Sequence, residues 1–134
     1  MALPNGAGGY QVGDGNLGEV ILGVQATPNT YTAAATLTVS DLENGLVIYN
    51  AGGANNLALP AVTGVGGVDD EISSAKVSSS FDFVLLCTGA GAGTLTVGTG
   101  WTLVGSGAGV AGAGVMFRAV KTGDGTYTLY RIAN

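Results

Sequence analysis

The chain of 134 residues has no His, one Cys, three Pro and four basic residues, Lys76, Arg118, Lys121 and Arg131. Each shortage excludes something. Without His, a Ser-His-Asp or Cys-His relay cannot be assembled. With Cys87 as the one thiol and no imidazole, a standard zinc site has too few ligands within one chain. A lone Cys also forms no internal disulfide, which sets aside the disulfide-stapled secreted scaffolds. Cys87 ends the apolar run Phe83-Val84-Leu85-Leu86-Cys87 and reads as a small buried hydrophobe. Four scattered basic residues against nine acidic ones give a net charge of −5. Nucleic acid and anionic membrane surfaces both call for clustered Lys and Arg, so neither is an expected partner.

Charge of either sign is scarce, at 10% of residues, while 46% are hydrophobic. Disordered chains show the reverse balance. Gly is abundant at 25 residues, but it follows no three-residue period, so a collagen helix is excluded. From Phe83 to Phe117 no residue is charged. Frequent Gly and the alternation Thr94-Leu95-Thr96-Val97 read as strands and loops there, not as a spanning helix. Met1-Ala2-Leu3-Pro4-Asn5-Gly6 has neither a basic start nor an apolar segment after it, so secretion is not expected.

Along the chain, residues 1–17 are rich in Gly and Asn with scattered apolar side chains, and read as an extended arm. Residues 18–134 read as one β-rich body. Gly18 to Ala26 holds Val20-Ile21-Leu22 and Val24, a strand candidate. Thr30 to Thr38 is extended. Ser40-Asp41-Leu42-Glu43 has the spacing of a capping box with Ser40 as its cap, and Asn44-Gly45 stops that turn. Leu46 to Tyr49 and Leu57 to Pro60 are strand runs. Asp69-Asp70-Glu71 suits the start of a helical segment over 68–75.

Ser80 to Cys87 is the strongest central strand, with apolar residues on both faces, so both are expected to be covered. Thr94 to Gly98 and Trp101 to Gly105 follow. Val115 to Lys121 and Thr126 to Ile132 flank Asp124-Gly125, a hairpin signal because both residues tolerate positive φ. About eight short strands and one or two helical turns result. The expected fold is all-β: a single-domain jelly-roll-like β-sandwich or small barrel with an N-terminal arm.

Candidate sites are few. Two stretches, Gly13 to Gly18 and Gly107 to Gly112, match G-x-G-x-x-G, but neither sits between a strand and a helix as dinucleotide binding requires. The acidic run at 69–71 lacks the alternating ligands of a calcium loop. No cofactor, metal or catalytic residue is expected, and the chain does not read as an enzyme. Asp82, between Phe81 and Phe83, calls for a cation; Arg118 and Arg131 on the last two strands are the candidates for a structural ion pair. Trp101, Tyr127 and Tyr130 are candidate subunit-interface residues, with a core role open for Trp101.

Several segments in order resemble small structural proteins of tailed bacteriophages: Gly13-Asp14-Gly15-Asn16 with Glu19, Leu57-Ala58-Leu59-Pro60, Ser80-Phe81-Asp82-Phe83, Gly98 to Gly105, Phe117-Arg118-Ala119 with Lys121-Thr122-Gly123, and Leu129-Tyr130-Arg131. Capsid decoration (cement) proteins and fibre modules carry similar segments. The resemblance implies a virion protein, usually a homotrimer, bound to the outer capsid surface after synthesis in the host cytoplasm. Its partners would be its own copies and the major capsid protein. Composition points to assembly independently, because so apolar a chain gains by covering surface with neighbours. The arm residues Leu3, Tyr10, Val12 and Leu17, with Val20, are the expected capsid contacts. The alternative is a trimeric fibre or receptor-binding module that holds host glycan on Trp101, Tyr127 and Tyr130.

Overall fold

The computed structural model describes residues 22–133. Nine strands and two short helices follow one another: β1 (Thr30–Tyr31), β2 (Ala35–Thr36), α1 (Val39–Glu43), β3 (Leu46–Tyr49), β4 (Asn55–Ala58), α2 (Val68–Glu71), β5 (Ser80–Cys87), β6 (Gly93–Thr96), β7 (Trp101–Val104), β8 (Gly114–Gly123) and β9 (Thr126–Ala133). This is the all-β body expected, with two sheets around a shared core.

The first six strands alternate between the sheets. β1, β3 and β5 stack in parallel in one, and β2, β4 and β6 in the other. Each strand pair, β1–β2, β3–β4 and β5–β6, thus forms one coil of a short stack. Like residues fall above like positions: Tyr31, Tyr49 and Cys87 form one column, and Ala35, Leu57 and Leu95 another. Parallel pairing needs a crossover between partner strands. Here the crossover is the strand in the opposite sheet together with α1 or α2.

The larger sheet then extends by antiparallel pairing of β8 on β5 and β9 on β8, and closes with β7 parallel to β9. Its strand order is β1-β3-β5-β8-β9-β7. The core is filled by Val47, Tyr49, Phe83, Leu85, Val115, Phe117 and Leu129 from this sheet and by Leu57 and Leu95 from the smaller one. Phe83 stacks on Phe117 with ring centroids 5.7 Å apart.

Several local expectations change. Residues 22–29 carry no strand, and Leu22 and Val24 lie open to solvent. Their apolar side chains find no partner strand among the described residues; residues 18–21 of that candidate lie outside them. The capping box sits two residues earlier than the Ser40 spacing suggests. Thr38 is the cap, accepting from the Asp41 amide at 3.3 Å, and Asp41 accepts from the Thr38 amide at 2.9 Å. The exposed Glu43 has no such role, whereas Asp41 is buried and also accepts from Tyr31 and Asn29. Helix α2 ends at Glu71 instead of 75, since Ile72 leaves helical geometry and two Ser residues follow it. In the β8–β9 turn only Gly125 has positive φ, at +71°, so Asp124 does not use the left-handed region.

The Gly-rich link from β7 to β8 covers the free edge of β6. The Leu95 amide donates to Gly107 O at 2.9 Å, and the Gly109 amide to Gly93 O at 2.8 Å. Gly109 is needed for this approach: a Cβ there would lie 2.7 Å from both Cys87 Sγ and Gly93 O. The stretch Gly107 to Gly112 opens no helix.

Candidate functional site

The pleat of the larger sheet sends alternate side chains to opposite faces. One face makes the core; the other turns outward. On β5, Phe83, Leu85 and Cys87 are buried, while Val84 and Leu86 opposite them are only half-buried. The expected cover on both faces of this strand is therefore complete on one face alone. Outward rows can be read from the register. Leu46, Val84 and Met116 are aligned across β3, β5 and β8. Asp82, Arg118, Tyr130 and Val104 are aligned across β5, β8, β9 and β7. Ile132 is the unpaired residue of β9 at the register shift between the Met116–Ala133 and Phe117–Arg131 pairs. Met116, Tyr130, Val104 and Ile132 are 36%, 38%, 48% and 47% exposed. Thr102, Thr122 and Thr126 add hydroxyls at the margin.

This face carries one acid and one base. Arg118 donates from Nε to Asp82 Oδ1 at 2.7 Å and from Nη2 to Oδ2 at 3.0 Å, a forked pair between directly opposed residues. The hydrogen bond from Arg118 holds the Asp82 carboxyl below its usual range. Both side chains stay more than a third exposed, so the pair is a surface cross-strand contact and not a buried one. Arg131 is not its partner. It falls on the opposite side of β9, where its guanidinium donates to Ser106 O at 2.8 Å and Ala108 O at 2.6 Å. That grip fastens the Gly-rich link.

The three aromatic candidates separate. Trp101 is buried, donates through Nε1 to Pro60 O at 2.7 Å, and packs on Tyr127 with centroids 5.4 Å apart. Tyr127 is buried as well. Both belong to the core of this chain and leave little ring surface for a subunit or a sugar. Tyr130 alone is exposed. The expected capsid contacts Leu3, Tyr10, Val12, Leu17 and Val20 lie outside the described residues.

A second feature is a cleft of about 290 Å³ where the end of α1, the segment after α2 and the start of β5 meet. Ile72, Ala75, Phe81 and Tyr127 supply its apolar lining, and Glu43, Ser79 and Ser80 its polar lining. Behind it, Lys121 Nζ donates to Asp69 Oδ1 at 2.6 Å, and the Gly125 amide donates to Asp69 Oδ2 at 2.7 Å. The Lys121 contact lowers the Asp69 carboxyl, and Asp69 raises the Lys121 ammonium in turn. The acidic run at 69–71 thus spends its first carboxylate on tying α2 to the β8–β9 turn. Asp70 accepts from the Gly66 amide at 3.0 Å. Among the described residues no group of three or more Cys, Asp and Glu is placed to hold a metal ion, and no helix is long and apolar enough to cross a membrane.

The rows that continue the second apolar face of β5 across β3, β8, β9 and β7 are what reading the sequence missed. Their signal is present in runs without a polar break, Leu46-Val47-Ile48-Tyr49 and Phe83-Val84-Leu85-Leu86, where a one-sided strand would alternate. Comparison with protein-family models, with curated proteins and with solved structures finds no match for this chain.

Proposed function

We propose that the chain is a structural virion protein that decorates the outer surface of a bacteriophage capsid and ties neighbouring capsomers together. The observation that carries this reading is the outward face of the larger sheet, where Met116, Val104, Tyr130 and Ile132 lie exposed and one acid–base pair supplies the charge. Monomeric soluble proteins seldom leave so continuous a patch open; subunits that assemble do. The ordered segments from Gly13 to Arg131 that resemble decoration proteins supply the virion context.

In this reading the protein acts mechanically. Homotrimers sit between capsomers and raise the barrier to rupture by DNA pressure. Residues 1–17 lie along the major capsid protein through Leu3, Tyr10, Val12 and Leu17, with Val20 beside them, and backbone hydrogen bonds add a strand there. Many identical contacts on one shell offset the ordering cost of a Gly-rich segment through multivalency. No catalysis and no cofactor are involved.

The test uses expanded shells of the parent phage, with the full chain and a form lacking residues 1–17. The full chain occupies every equivalent surface position. The shortened chain stays a folded trimer and loses shell binding. Undiminished occupancy by the shortened form removes the role of the arm, and a full chain that ignores shells removes the decoration role. A fibre module is the second reading, favoured by the cleft that Phe81, Glu43, Ser79 and Ser80 line. It places a few tens of copies on each particle, binding host glycan, where decoration places hundreds.

A further inference from the structure

We propose that the outward face of the larger sheet is where copies of this chain join, so that its occupant is a second copy of the chain. The inference rests on reading the chain as an assembling subunit, and it does not depend on a virion. Three observations carry it.

The first is area. Six strands at about 4.8 Å spacing, with strands some 20 Å long at the centre, present roughly 600 Å² in projection. Side-chain relief brings this near the roughly 800 Å² per partner of a stable protein interface. The second is chemistry. Val84, Met116, Val104, Tyr130 and Ile132 make an apolar field with an aromatic anchor, the composition of an interface centre.

The third is charge. The face is balanced, with Asp82 beside Arg118 and no other charged residue in its rows. Glu43, Asp70, Glu71 and Asp124 lie away from it, on α1, α2 and the β8–β9 turn. A basic partner would be drawn to those positions, and an acidic partner finds no excess of cations on the face. A second copy brings the same apolar rows and an equally balanced Asp82–Arg118 pair, so the contact buries no net charge. Area, composition and charge thus point to one occupant.

The test is the mass of the full chain in solution, by sedimentation equilibrium over a wide concentration series. The native chain is expected to be oligomeric. V104E and Y130E, both at outward positions, should weaken association by about tenfold or more with an unchanged far-UV circular dichroism spectrum. D82R should weaken it too, because it sets two cations side by side on the face, and the exchange D82R with R118D should restore it by rebuilding the neutral pair. A native chain that stays monomeric, or variants that keep the native mass, overturn the proposal. A monomer that sediments with phosphatidylcholine vesicles makes the occupant a lipid surface. One that binds shells while monomeric makes it the capsid, which also overturns the proposal but leaves decoration standing. An oligomer indifferent to shells leaves this proposal intact and ends the decoration reading.

Discussion

At the residue scale, Asp41 is the polar centre of the first coil. Burial pushes its carboxyl up, but hydrogen bonds from the Thr38 amide, Tyr31, Asn29 and the Thr38 hydroxyl outweigh this and hold it below the usual range. The Tyr31 phenol beside it is pushed up to about 12, mainly by burial and then by Asp41. Asp69 and Asp82 are lowered as well, by Lys121 and Arg118. A carboxyl whose folded value lies below its unfolded value stabilises the fold fully above the unfolded value and loses that effect as pH falls through the folded one. Melting temperature should therefore be flat from about pH 7 to about pH 5 and should fall below about pH 4. The Tyr31 phenol has the opposite sign. Its contribution is complete below its unfolded value of about 10 and is lost as pH rises toward its folded value. D41A leaves the Tyr31 hydroxyl, the Asn29 amide and the Thr38 amide without their shared acceptor, and should cost about 2–3 kcal/mol in urea melts at neutral pH. T38A removes only the cap and should cost about 1 kcal/mol. Equal losses from the two would mean that Asp41 serves the cap alone.

At the element scale, the β8–β9 hairpin depends on its turn and on α2 together. Gly125 combines φ +71° with a close neighbour, since a Cβ there would meet Thr63 Cγ2 at 2.9 Å. G125A should cost at least about 1–2 kcal/mol from the left-handed backbone alone. D69A removes the acceptor of the Gly125 amide and the partner of Lys121. Hydrogen exchange should then quicken at Gly125 and along the turn, while the Leu85 amide in β5 stays protected; uniform quickening would mean that the tie holds the whole sheet. The hairpin, β3 and β5 were legible in the sequence because runs such as Ser80 to Cys87 and Thr126 to Ile132 are long, β-rich and bounded by turn residues. The Asp82–Arg118 alignment was narrowed to two candidates, and strand register supplied the choice. Parallel stacking of the first six strands was not legible, because partners such as Leu57 and Leu95 are far apart in sequence and no local pattern records which strand lies beside which. The cap at Thr38 was missed because Tyr31 and Asn29, which fix Asp41, come from outside the helix. Trp101 was open between core and interface and Tyr127 stood as an interface candidate; only the fold shows that the core receives both and that Pro60 accepts from Trp101.

At the scale of the whole molecule, the question is whether a stack of coils and a hairpin sheet behave as one body. Stacked repeats can lose structure from one end, since each coil contacts only its neighbours. Here two features oppose that. Both sheets feed a single core, so Leu57 and Leu95 of the smaller sheet pack in the same cluster as Phe117 and Leu129 of the larger one. Trp101, on the strand farthest along the larger sheet, donates to Pro60 just beyond β4, which ties the last strand to the second coil. Trp101 is also the one Trp, so its fluorescence reports that far edge while far-UV circular dichroism reports every strand. Urea unfolding followed by the two signals should give coincident curves, as a cooperative transition demands. L57A empties part of the core from the smaller sheet and should lower stability by about 2–5 kcal/mol. Its effect should reach Trp101 in full, moving both curves by the same amount. A fluorescence curve that stays in place while circular dichroism shifts would mean that the coils unfold apart from the hairpin, and the tie through Pro60 would then be too weak to make one cooperative unit.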